Sequence, residues 1–114
     1  MNLEQLQAMS DEELNELAAV KVMGWENSFI FEGQRYNGIY GEEAHAKDWN
    51  PTSDMNDCFA LVKKIPTKYR VEVVYVNGEF VCNVFADDIT LLHSIESDDP
   101  ARAITIASIL ASKE

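Results

Sequence analysis

Positive charge is scarce in this chain of 114 residues: nine lysines and arginines stand against twenty aspartates and glutamates, for a formal charge of -11. A nucleic-acid backbone is gripped by cations that displace its counterions, so direct nucleic-acid binding is not expected. Long apolar runs are missing too, and no stretch approaches the roughly 18 residues that a membrane span requires. The opening residues, Met1-Asn2-Leu3-Glu4-Gln5, show no basic segment leading into an apolar one, so no signal peptide is expected. Cysteine is limited to Cys58 and Cys82, each alone in apolar surroundings with no CxxC pair. That argues against a disulfide scaffold and suits buried thiols in a reducing compartment. These absences together lead to the expectation of a soluble cytoplasmic protein, and the length fits one domain spanning residues 1–114.

The few bases are also unevenly placed. Residues 1 to 20 hold five acids and no base, and residues 71 to 101 hold seven acids and no base. Between these zones sit Lys63, Lys64, Lys68 and Arg70. Lys63 and Lys64 fall where the last turn of a helix would favour cations. The same four residues, with the aromatics at 36 to 49, form the lining expected if the protein binds an anionic small ligand such as a nucleotide. An acidic surface also suits attraction to a basic protein, although net charge serves solubility as well.

Helical punctuation is clear at three places. Leu3, Leu6 and Met9 mark a short arm. Ser10-Asp11-Glu12-Glu13 is a capping box, followed by Leu14, Leu17 and Ala18 at helical spacing and Gly24 as a stop, which predicts a helix over 11–23. Trp49-Asn50-Pro51-Thr52-Ser53-Asp54 is the most distinctive stretch. Pro51 moves Asn50 out of helical geometry, and Thr52, Ser53 or Asp54 caps the next turn. Met55, Cys58, Phe59, Val62 and Ile65 then form the expected buried stripe of a helix over 54–65, which Pro66 ends. Asp99-Pro100 starts the last helix, with Asp as cap and Pro in the first position. Residues 101 to 111 are apolar nearly all round, which implies a helix buried in the chain or shared with another subunit, a possible homo-oligomer contact.

Strand texture fills the remainder. Residues 25 to 40 mix aromatics with Gly33 and Gly38, as in short strands or an ordered loop, and residues 41 to 48 read as an exposed connection. Residues 71 to 85 are a hairpin around Asn77-Gly78, the preferred pair for a type I′ turn. Both of its faces are apolar, so cover is expected on both sides, or on one side with a partner on the other. Ile89, Leu91, His93 and Ile95 suggest a third strand. The fold class read from this order is α+β: a single layered domain with a small antiparallel sheet and a central β-hairpin packed against about three helices.

Catalytic patterns are few. His45 and His93 lack metal-ligand spacing, and neither a phosphate loop nor a nucleophile elbow is present. Asp87-Asp88 and Asp98-Asp99 offer oxygens for a hard cation, but turn and cap duties explain them more simply. No enzyme activity, metal or cofactor is expected. Trp25, Tyr36, Tyr40 and Trp49 cluster in the irregular middle beside Glu42, Glu43 and Asp48. Tyr36, Tyr40, Glu42, Glu43 and Asp48 are the candidate contacts for a cationic partner, and the tryptophans are expected to pin this region to the sheet.

Three stretches resemble small phage and prophage proteins with a phage ABA sandwich domain: residues 9 to 25, the Trp49-to-Asp54 motif with its helix, and Ala101-Arg102-Ala103-Ile104-Thr105-Ile106-Ala107. They cover about half of the chain, in the family's order. Members usually carry Ala then Trp where this chain has Cys58 and Phe59, which keeps an aromatic in the stripe. The resemblance implies a helix–sheet–helix sandwich and transfers no catalytic residue. It also implies a phage accessory role in the host cytoplasm: binding a host protein, as in counter-defence, or alternatively sequestering a nucleotide signal or serving in assembly.

Overall fold

The computed structural model describes residues 2–24, 28–31, 34–37, 49–87 and 89–112. Its elements are α1 (Leu3–Gln7), α2 (Asp11–Lys21), β1 (Ser28–Phe31), β2 (Gln34–Asn37), α3 (Met55–Val62), β3 (Arg70–Val76), β4 (Glu79–Phe85), β5 (Leu91–Ser97) and α4 (Pro100–Ala111). The α+β class is observed, with a three-stranded antiparallel sheet packed against helices.

Each helix begins where a side chain satisfies the first free backbone amides. Asn2 and Gln5 form a capping box on α1, and Ser10 and Glu13 form one on α2. Asp54 is the cap selected for α3; its carboxylate accepts from the Asn56 and Asp57 amides. Asp99 caps α4 by accepting from the Ala101 amide, with Pro100 in the first turn. Gly24, at φ +73°, carries the left-handed turn after α2 that residues with a Cβ resist.

The stripe expected for the central helix needs correction. Cys58, Leu61 and Ile65 are buried, whereas Phe59 is 50% exposed and Met55 also lies outward. Two helical rows were compatible with the sequence, and packing selected the one through Leu61. The helix proper ends at Val62, earlier than expected, and a tighter turn follows, with Lys64 N–H donating to Leu61 O and Ile65 N–H to Val62 O.

The hairpin has the expected register, Val71 opposite Val84 through Val76 opposite Glu79. Asn77 (φ 52°) and Gly78 (φ 85°) form its turn. The third strand begins at Leu91; Ile89 lies outside it, 87% exposed, in a turn built by Asp87. There the Asp87 carboxylate accepts from the Ile89 and Thr90 amides and the Thr90 hydroxyl, and these bonds hold its carboxyl below the ordinary range. Strand order is β3-β4-β5.

α4 is the centre of the structure. It packs on β4 and β5 and also meets α1, α2 and α3. Every residue from 103 to 111 is buried, which intrachain packing explains without a second subunit. The small residues Ala103, Ala107 and Ala111 let neighbouring backbones come close. The buried hydroxyls of Thr105 and Ser108 donate back to the Ala101 and Ile104 carbonyls at 2.8 Å each, so neither is left dry and unpaired.

Of the two arrangements expected for sheet cover, full cover within the chain is not observed. Cys82, Val84 and Ile95 share a face buried under α4. Beyond it, Val73, Val74, Tyr75 and Val76 are 41%, 38%, 64% and 49% exposed, so the hairpin is not covered on both sides. The helices reach the sheet through α4, which lines β4 and β5.

Candidate functional site

The three distinctive stretches are joined by two sets of polar contacts, both made to the first of them. Asn15, in the middle of α2, is buried although polar. Its Nδ2 donates to Asn50 Oδ1 at 2.8 Å, and its Oδ1 accepts from the Thr52 amide at 3.1 Å. Its backbone carbonyl accepts from Trp49 Nε1 at 2.8 Å. The Thr52 hydroxyl also donates to Asn50 Oδ1, and Asp57 Oδ2 accepts from the Asn50 amide at 3.0 Å. Trp49 thus anchors to α2 through its indole and belongs to the hydrophobic core that also holds Cys82, Val84 and Ile95 of the sheet. Its indole needs an acceptor when buried, and the Asn15 carbonyl supplies it.

Arg102 ties the third stretch to the first. Its guanidinium pairs with Asp11 and donates to the carbonyls of Gln7 and Met9 at 3.1 and 2.7 Å. It therefore satisfies carbonyls at the α1–α2 junction that no helix supplies with donors. Arg102→Met should cost about 2 kcal/mol in chemical denaturation, because it removes charged hydrogen bonds that the junction cannot replace. A loss below about 0.5 kcal/mol would mean that water substitutes freely.

Of the predicted contact residues, only Tyr36 lies among the described ones. Tyr36 lies in β2 with its backbone opposite Phe29. Tyr40, Glu42, Glu43 and Asp48 lie outside the described residues, as do Trp25, His45 and Asp88. Of the proposed ligand residues, Lys63 is the C-cap of α3 and Lys64 lies in the turn beyond it. Lys68 sits over the Tyr69 ring at 5.2 Å. Arg70 donates to Glu72 at 2.9 Å and stacks on Phe85 at 4.1 Å. All four are exposed, and Arg70 is already committed to a carboxylate. Among the described residues, no group of three or more His, Cys, Asp or Glu could hold a metal ion. No helix among them is long and apolar enough to cross a membrane.

The described residues also form two acid-rimmed apolar depressions. One, of about 310 Å³, runs along α2 between Met9, Leu17 and Val20, with Glu13 and Glu16 beside them. Glu13 is occupied in the capping box. The other, of about 150 Å³, lies on the outer face of the hairpin among Val76, Asn77, Val81, Glu79 and Glu96. The register explains it. Val74, Val81 and Glu96 stand in one row across the sheet, and Val76 and Glu79 in the next. On the opposite face at this end, the Tyr75 and Phe80 rings stack at 4.8 Å, tilted by 52°. Sequence reasoning found the apolar residues of this hairpin but not their exposure, which depends on how far α4 reaches.

No family model matches the chain, and no curated protein or solved structure matches it either.

Proposed function

We propose that this is a non-catalytic phage accessory protein that binds a basic host protein, in the manner of a counter-defence inhibitor. One observation carries the reading: the end of the β3–β4 hairpin exposes Val74 and Val76 on the face that holds Glu79 and Glu96, with Val73 and Tyr75 exposed on the other face, in a chain of charge -11. Apolar area supplies affinity, while surrounding acids select a cationic partner and repel acidic ones. The phage setting rests on the resemblance of the three stretches described above. Those stretches spend their polar side chains on one another, so the binding surface is sought elsewhere.

Capture from host lysate at graded salt tests this reading. Glu79→Lys with Glu96→Lys should reduce capture of a basic partner at least tenfold and flatten its salt dependence. Glu42→Lys with Glu43→Lys measures the contribution of the preceding acidic segment. Capture unchanged by both pairs would contradict an acidic interface.

The exposed lysines and the engaged Arg70 offer no anion pocket ready for a nucleotide. A nucleotide panel should therefore leave the melting temperature unchanged. A stabilisation of about 2.7 kcal/mol at a hundredfold excess over Kd would instead support sequestration of a nucleotide signal.

A further inference from the structure

Among the described strands β3 is an edge of its sheet, and its backbone polarity follows from the turn. In a two-residue type I′ hairpin, the residues flanking the turn exchange both N–H···O bonds, and the pairs alternate from there. Val76, Val74, Glu72 and Arg70 therefore direct their backbone groups at β4. Val71, Val73 and Tyr75 direct theirs at the open edge.

Natural edges are blunted by bulges, prolines, lysines or short length. β5 follows that practice, since its register slips between Val84 and Phe85 and leaves Leu92 unmatched. β3 has none of these devices. It spans seven residues in unbroken register, and residues 71–76 contain no proline or base. Its one acid, Glu72, is occupied by Arg70 at 2.9 Å and by Asn83 Nδ2 at 3.2 Å. Such an edge is a template for another strand.

We propose that β3 is the docking edge for an extended segment of a basic partner protein, added as a fourth, antiparallel strand. This deepens the reading above by naming how the partner is held. Charge identifies the occupant: residues 71 to 101 hold seven acids and no base, so a second copy would bring like charge against like. A segment of alternating β-branched residues with lysines at its ends matches both the apolar exposure of Val73 to Val76 and that field.

The probe is an acetylated, amidated peptide of sequence Lys-Val-Thr-Val-Thr-Val-Lys, titrated against the full chain with hydrogen exchange read by NMR. Bound peptide should slow exchange at the Val71, Val73 and Tyr75 amides at least tenfold, leaving those of Glu72, Val74 and Val76 nearly unchanged. Val73→Pro removes an outward amide without deleting a bond to β4, and should weaken binding at least tenfold. A peptide N-methylated at alternate residues should fail to bind the unaltered chain, so the test stands even where the proline variant is unstable. Binding that leaves the three edge amides unprotected overturns strand addition while leaving an acidic binding face intact. Failure of the peptide to bind overturns it as well. Concentration-dependent protection in the protein alone overturns it in favour of a second copy. Loss of lysate capture on charge reversal at Glu79 and Glu96, measured separately, decides the broader reading.

Discussion

Asn15→Leu should destabilise the protein by about 3 kcal/mol, lowering the melting midpoint by roughly 10–15 °C for a chain of this size. Leucine has similar volume, so packing is nearly kept and the loss isolates the hydrogen bonds. The replacement leaves the Thr52 amide and Asn50 Oδ1 without the Asn15 amide that faces them at 3.1 and 2.8 Å. Thr52 is fully buried, so water does not readily take over. An unsatisfied buried donor or acceptor costs about 1–3 kcal/mol, more than the net value of the bond itself. Asn50→Ala should be strongly coupled to Asn15→Leu, because the two remove opposite ends of one contact. Urea denaturation of the two single variants and the double variant checks this. Simple additivity would show that the two segments are joined by other means.

Cys58 and Cys82 should be almost inert in the folded protein, reacting with iodoacetamide about a thousandfold more slowly than an unhindered thiol at pH 8. Both are fully buried, and desolvation raises each thiol from 9.0 to about 12; nearby Cys82, Asp99 and Asp57 add to the effect at Cys58. The thiolate is the reactive form, and these shifts reduce its share by three powers of ten. The same shifts set an alkaline limit. Because the folded values lie above the unfolded ones, the stability contribution is complete below about pH 9 and lost as pH rises toward about 12. The expected slope is about 1.4 kcal/mol per pH unit for each thiol. Cys82→Ala should lower the slope by one thiol's share, whatever its constant cost in packing. Rapid labelling of the folded chain without prior unfolding would contradict this picture.

Local chemistry was the legible part of the sequence. Ser10 with Glu13, Asp54, Asp99 with Pro100, and Asn77 with Gly78 act within a few residues of themselves, so composition alone revealed their duties. The all-round apolarity of 101–111 was equally plain, and its cause is a helix enclosed by sheet and helices. Decisions made by distant partners were not legible. Nothing near Asn15 indicates that its amide meets residues 35 and 37 positions away. One polar residue inside an apolar helical row was the only signal available. Arg102 likewise reaches carbonyls more than ninety positions earlier. Phe59 was misplaced because two rows of α3 were equally apolar, and cover of the hairpin was left open between two arrangements because two apolar faces do not reveal how many layers exist to cover them. For the proposed binding surface the sequence supplied the acids and the apolar run separately, and the register brings Val81 opposite Glu96 and Val76 opposite Glu79.

The proposed function divides the labour: the distinctive motifs build the fold, and the end of the hairpin is the proposed partner surface. Binding isotherms of the lysine-flanked peptide, taken with the melting curves of the same samples, separate these roles. Asn15→Leu should melt far earlier yet bind with unchanged affinity at a temperature where it remains folded. Glu79→Lys with Glu96→Lys should melt almost normally and bind at least tenfold more weakly. The opposite pattern, with affinity lost at Asn15 and kept after charge reversal, would place recognition in the motifs and contradict the assignment.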